Sequence, residues 1–167
     1  MRNLASPALL LSLLLLTACG FQLRGTGQAA LDLPALVVSA ANQYGDLTQA
    51  LGSSLEAAGT EVVAEGSAPR LTILGERRDK RPLTSSGSVN AADFQLRLEV
   101  TFSLEDAAGQ LLLSDGAVIA ERTFAFDSNS FAASTDEEER LFEELYQDAA
   151  RQILLQLQAR LRSGVPQ

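Results

Sequence analysis

Phe94-Gln95-Leu96-Arg97-Leu98-Glu99-Val100-Thr101-Phe102-Ser103-Leu104 places an apolar side chain at every even position and a polar or charged one at every odd position. Successive side chains of a β-strand point to opposite faces, so this period of two describes a strand with one buried face and one thoroughly polar face. A sheet built on such a strand needs a cover on one side only. The flanking sequence must supply it.

On the C-terminal side, Glu105 to Gln110 contains Gly109 and reads as a turn. Leu111 to Leu113 and Ala117 to Phe126 follow as a partner strand, interrupted at Ser114-Asp115-Gly116. Asp127 to Ser134 is a polar loop, after which Thr135 and Glu138 stand three apart as a capping box for a long helix. Asp136, Glu137, Glu138 and Glu139 would fill its first turn and Arg160 and Arg162 its last, which complements the helix dipole at both ends. Leu141, Leu145, Ala149, Ile153 and Leu157 share one face, joined by Phe142, Leu154 and Leu161, so the spacing predicts a helix from about Asp136 to Arg162 lying over the sheet.

On the N-terminal side, Leu36 to Ala40 suits a short buried strand. Asp46 as N-cap, with Gln49 completing a capping-box-like pair, opens a helix whose Leu47, Ala50, Leu51, Leu55 and Ala58 line one face. Gly59 stands where a left-handed C-cap is wanted. Glu61 to Ala64 and Leu71 to Leu74 are short strand candidates separated by Gly66 to Pro69. The expected fold is α+β: about four strands in a mainly antiparallel or mixed sheet, with two helices packed on one face.

The first residues read differently. Arg2 gives a short positive start, and Ala8 to Leu16 is apolar apart from Ser12. That run is too short to cross a bilayer, which takes roughly 20 apolar residues, but it suits a cleaved signal peptide. It ends in Leu16-Thr17-Ala18-Cys19-Gly20, which resembles the bacterial lipobox. The resemblance implies that Cys19 becomes the mature N-terminus, carrying an S-diacylglycerol and an N-palmitoyl chain. Several chains hold a protein stably at a membrane where one holds only reversibly, each buried methylene contributing about 0.8 kcal/mol. Gly20 lacks the acidic character that resembles inner-membrane retention signals, which favours the inner leaflet of a Gram-negative outer membrane. The expected organisation is a signal peptide (1–18), an acylated N-terminus and tether (19–34), one α+β domain (35–162) and a C-terminal tail (163–167).

Composition narrows the function. The 167 residues contain no histidine, no tryptophan and a single cysteine. Ser/His, Cys/His and histidine-ligated metal chemistry therefore have no residues to run on, and no enzyme activity, metal or cofactor is expected. Asp136 to Glu139 point in several directions from a helix start and are ordinary capping residues; Asp127 with Ser128, Asn129 and Ser130 lacks the later glutamate of a calcium loop. Ser85-Ser86-Gly87-Ser88 has no partnered base and reads as flexible. The formal charge is −8, and loss of Arg2 with the signal peptide makes the mature chain one unit more negative. Such a chain is no general nucleic-acid binder.

Against this acidic background, Arg77, Arg78, Lys80 and Arg81 concentrate four of the chain's 13 basic residues in five positions, diluted by Glu76 and Asp79. Guanidinium forks match phosphates and carboxylates, so the stretch is either an anion contact or a solubilising loop. Arg122 shares parity with Val118, Ala120, Phe124 and Phe126. It is an inward, paired cation, a residue displaced by a bulge, or a ligand contact.

Ala18-Cys19-Gly20-Phe21-Gln22-Leu23-Arg24-Gly25, the long alternating strand, Arg122-Thr123-Phe124-Ala125-Phe126, and Glu143-Glu144-Leu145-Tyr146-Gln147-Asp148-Ala149-Ala150 together resemble, in this order, the lipopolysaccharide-assembly lipoproteins of the LptE (RlpB) family. The resemblance implies an outer-membrane lipoprotein that sits inside the LptD barrel as a plug or faces the periplasm beside it, assists the barrel's assembly and binds lipopolysaccharide. Arg77, Arg78, Lys80, Arg81 and Arg122 are then the candidate contacts to its phosphates. Some relatives carry a lysine around the strand Ala117 to Phe126, where Val118, Ile119 and Ala120 are apolar here, so those positions receive no ligand role. The alternative from the residues is an accessory of another envelope lipid-transport system, holding an apolar ligand in a cavity of its own.

Overall fold

The computed structural model describes residues 33–85 and 91–163. The signal peptide, Cys19, the Phe21-to-Arg24 segment, most of the tether, Ser86 to Ser88 and the last four residues lie outside these. The chain forms β1 (Val37–Ser39), α1 (Asp46–Ala57), β2 (Arg70–Ser85), β3 (Ala91–Glu105), β4 (Leu111–Asp127), a 3-10 turn (Ser128–Ser130) and α2 (Phe131–Ser163). The sheet order is β1-β2-β3-β4, with β1 parallel to β2 and the other pairs antiparallel. This is the expected four-stranded mixed α+β sheet.

The alternation in β3 is obeyed from Gln95 to Leu104. Leu96, Leu98, Val100, Phe102 and Leu104 are fully buried, while Gln95, Arg97, Glu99, Thr101 and Ser103 stay partly exposed. Facing the buried row are Leu47, Ala50, Leu51 and Leu55 from α1 and Leu141, Leu145, Ala149, Ile153 and Leu157 from α2. Leu33, which the sequence places at the end of the tether, also packs into this core.

Several local expectations need correction. The 61–64 segment makes only an isolated bridge, Leu36 with Val62, because its backbone turns away after Leu36 exchanges bonds with Glu61 and Val63. The N-cap of α1 is Gly45, without a side-chain bond, and Asp46 is the first helical residue. Gln49 instead donates to the Tyr44 carbonyl, and Thr48 to that of Asn42. At the other end Gly59 adopts φ 74°, and the amides of Gly59 and Thr60 reach the carbonyls of Glu56 and Leu55 in a Schellman closure, as Gly59 predicts.

The last helix starts earlier than its capping signals indicate. Thr135 lies inside α2 with its hydroxyl bonded back to the Phe131 carbonyl, and Asp127 caps the 3-10 turn that leads into α2 by accepting from the Asn129 amide. Phe131 stacks edge-on against Phe126 at 5.9 Å, an apolar contact that carries the helix back past the polar residues. Asp136 to Glu139 therefore sit beyond the first turn, which holds no acid, whereas Arg160 and Arg162 do occupy the last turn. With 33 residues, α2 runs for about 50 Å.

Two strands are longer than their apolar patterns. β2 does not stop at Leu74 but continues through the whole basic stretch for 16 residues. A bulge between Ile73 and Gly75 resets its parity, so Leu71 and Ile73 face the helices before it and Glu76, Arg78 and Lys80 after it. β4 runs unbroken through Ser114-Asp115-Gly116, but Phe102 pairs with Gly116 and Leu104 with Leu113, which leaves one extra residue in β4. β4 is also an edge strand. Its outward carbonyls at Ala117, Ile119 and Glu121 accept from Gln156, Gln152 and Arg122, which caps alternate positions of an otherwise open ladder.

The bulge yields the first prediction. A Cβ on Gly116 would stand 2.6 and 2.7 Å from the Phe102 ring and 2.7 Å from Leu113, and Phe102 is fully buried with no room to yield. Gly52, in the middle of α1, has nothing within 4 Å of the same position. Urea unfolding should show Gly116→Ala less stable by about 1–3 kcal/mol from overpacking, and Gly52→Ala more stable by up to about 1 kcal/mol from helix propensity.

Candidate functional site

The basic stretch is not a loop, and strand geometry divides it. Arg77 and Arg81 project from the polar face of the sheet, while Arg78 and Lys80 project toward α2. Arg122, two strands away, shares the helix-facing side and stands in the same cross-strand row as Lys80, since Leu96 pairs with both. The structure thus brings Lys80 and Arg122 together with α2 and separates them from Arg77 and Arg81.

On the polar face the charges form a ladder. Arg77 approaches Glu99 at 3.3 Å, Arg97 approaches Glu99 at 3.6 Å and Glu121 at 2.8 Å, and Arg81 donates to the Gln95 side chain at 2.6 Å. The Glu121 hydrogen bond holds the Arg97 guanidinium more firmly protonated than usual. These pairs are open to solvent, so they set the surface pattern more than the stability.

On the helix-facing side each charge finds a partner on α2. Glu76 accepts a hydrogen bond from the Tyr146 hydroxyl at 2.5 Å. The Arg78 guanidinium lies 3.7 Å over the Phe142 ring. Lys80 bonds Glu138 at 2.5 Å while its ammonium lies 4.7, 5.2 and 5.4 Å from the rings of Phe94, Phe126 and Phe124. Arg122 pairs with Asp148 and lies 3.7 Å from Glu144, so of the three readings open for it the inward, paired cation is the one observed. Asp148 also takes Arg151, and Glu144 takes Arg140, whose other partner is Glu137. Hydrogen bonding to Arg140 lowers the pKa of Glu137.

Composition alone missed Glu138, Glu144, Asp148 and four phenylalanines, Phe94, Phe124, Phe126 and Phe142, as partners of the basic residues, and Tyr146 as the partner of Glu76. A signal for the acids was present. They lie on the flanks of an amphipathic helix that must cross a strand rich in arginine and lysine, but choosing which acid meets which base requires the register. Among the described residues no group of three or more acidic or cysteine side chains is arranged to hold a metal. No described helix is long and apolar enough to cross a membrane. A shallow charged depression of about 400 Å³ lies against Arg122, Arg140, Glu144 and Asp148, and an open concavity of about 590 Å³ lies against Gly52, Glu56 and Thr60 to Val62.

Residues 33–157 match the family LptE, described as "Lipopolysaccharide-assembly". The chain belongs to the LptE family. It is 30% identical over 157 residues to the LPS-assembly lipoprotein LptE of Pectobacterium atrosepticum, covering 88% of this chain and 80% of that protein. The corresponding lipoprotein of Photorhabdus laumondii is 29% identical over 155 residues, covering 88% and 81%. The solution structure of a lipoprotein B from Nitrosomonas europaea superposes with a TM-score of 0.67 at 28% identity, covering 87% of this chain and 94% of that one. In this LptE-family chain the matched segment takes in the sheet, α1, most of α2 and all five candidate cations.

The Tyr146 contact makes a pH prediction. Burial first, and then the hydrogen bond to Glu76, raise the phenol's pKa well above its ordinary value, against a smaller opposing effect of Arg78. A raised folded value means that the stabilisation is complete below the unfolded pKa, about 10 for tyrosine, and is lost as pH rises through the folded value. Tyr44 is the only other tyrosine. In a Tyr44→Phe background, phenolate absorbance should therefore rise only at strongly alkaline pH, together with unfolding. Adding Glu76→Gln should move it back toward pH 10.

Proposed function

We propose that this chain is an outer-membrane lipoprotein, anchored by acyl chains on Cys19, that plugs and helps to assemble the LptD barrel and binds lipopolysaccharide on its way to the cell surface. It has no enzymatic role and uses no cofactor. The observation that carries this reading is the sheet with a filled apolar side and a charged, hydrogen-bonded outer side. A body seated in a large outer-membrane barrel must bring its own core and present a polar surface to a polar lumen. Leu51, Leu55, Leu71, Leu96, Leu98, Leu145 and Ile153 fill the space between helices and sheet, and Arg77, Arg81, Gln95, Arg97, Glu99 and Glu121 tile the outside.

Membership of the LptE family supports the assembly role, since the relatives in Pectobacterium atrosepticum and Photorhabdus laumondii are named for it. Arg77, Arg78, Lys80, Arg81 and Arg122 are the proposed anion contacts, and lipid attachment at Cys19 would raise the local concentration of the domain beside its barrel. The alternative, a carrier with an apolar ligand inside its own fold, finds less support. The two concavities described above lie on the surface, and the helix–sheet interface is occupied by leucine side chains.

Expression of the full chain with its own leader in a Gram-negative host, followed by detergent pull-down, tests the proposal. Wild type should recover an LptD-type barrel in a one-to-one ratio, with lipopolysaccharide in the eluate. Cys19→Ala should leave the membrane fraction and recover much less barrel. A lipidated protein that elutes with neither would sink the plug reading.

A further inference from the structure

Lys80 is the most heavily committed of the candidate cations. Its ammonium sits above a wall made by Phe94, Phe124 and Phe126, and Glu138 closes on it from the second turn of α2. The wall continues outward. Phe94 lies 6.0 Å from Phe126 in an edge-on stack, Phe126 meets Phe131 in the same way, and Phe131 is 65% exposed. A cation fixed at the inner end of an aromatic surface whose outer end opens to solvent has the chemistry to take a phosphorylated amphiphile. The phosphate would meet the ammonium and the first acyl carbons would lie on the rings. In the structure the anionic position is filled by the chain's own carboxylate.

We propose that Glu138 is an internal competitor for this site: a phosphorylated lipid, of the class invoked under the proposed function and resting on that reading, must displace the Glu138 carboxylate from Lys80 before it binds. The pair is only partly open to solvent, the side chains being 32% and 23% exposed, so it is neither locked by burial nor dissolved by water. A ligand that binds only the open arrangement has its affinity reduced by the fraction of molecules that are open. Opening also costs little elsewhere, because Arg122 with Asp148 and Arg78 on Phe142 keep α2 attached further along the sheet. Glu138 is thus a gate on ligand affinity, and a lipid bound there leaves α2 docked.

Titrations of the detergent-solubilised full chain with lipopolysaccharide, with its lipid-A-dephosphorylated form and with inorganic phosphate test the gate. Glu138→Gln should bind phosphorylated lipopolysaccharide roughly three- to fivefold more tightly, as expected from removing a partly exposed ion pair. Glu139→Gln, the same charge change one residue on, should bind like wild type. Lys80→Met should lose the gain in the double variant, and Phe131→Ala should weaken binding of phosphorylated lipopolysaccharide without changing the ratio of Glu138→Gln to wild-type affinity for inorganic phosphate. Dephosphorylated ligand should show no difference between wild type and Glu138→Gln.

Wild-type binding that Glu138→Gln leaves unchanged would overturn the gate while keeping the proposed function. An equal gain in Glu139→Gln would reduce the effect to net charge and overturn it as well. A gain for inorganic phosphate equal to that for lipid would overturn the amphiphile assignment. Failure of both wild type and Glu138→Gln to bind lipopolysaccharide at all would remove the ligand part of the proposed function together with the gate.

Discussion

The fold depends on covering one face of β3. Its even-numbered side chains from Leu96 to Leu104 are fully buried and the odd-numbered ones between them form a polar surface, so the helices have one side of the sheet available to them. Both lie there. At roughly 25 cal/mol per Å² of apolar surface removed from water, burial of the row from Leu96 to Leu104 favours the docking of α1 and α2. It also decides that the opposite face must satisfy its own charges. The ladder from Arg77 through Glu99 and Arg97 to Glu121 meets that demand without a core beneath it.

The same constraint accounts for what could be read from the chain. A strict alternation has one reading, so β3, the turn at Gly109, the Gly59 closure and the leucine face of α2 were legible. β2 beyond Leu74 was not, because Glu76 to Arg81 shows no apolar alternation on either face. Its helix-facing positions are long charged side chains whose cationic heads lie over Phe142, Phe94 and Phe126, so a helix-facing strand looks like a charged loop. A bulge at Leu74 compounds this by switching parity within one strand. The start of α2 was misplaced for a related reason: Thr135 and Glu138 carry capping chemistry, and the ring contact of Phe131 with Phe126 overrides it.

For the candidate site, residue types were legible and pairings were not. Five cations stood out because the chain is acidic, but a cation's availability depends on what faces it. Register puts Lys80 and Arg122 in one row beneath the acids of α2, whereas Arg77 and Arg81 share the other side with glutamate and glutamine. A local excess of arginine and lysine is thereby converted into two unlike sets. One belongs to a surface ladder and the other to the seam between sheet and helix.

That seam bears on how the proposed plug handles a ligand. Had Lys80 and Arg122 projected from the outer face, an anionic lipid would meet them at no structural cost, and they would also attract every other anion in the envelope. Placed in the seam, each is already neutralised by α2, so a ligand gains only the difference between its own contact and the carboxylate's. A small anion offers little over a carboxylate. A phosphate carried on an acyl chain adds contact with the rings of Phe126 and Phe131, and this apolar increment separates it from free anions. Selectivity in such a site comes from the carboxylate that must be displaced as much as from the cation beneath it.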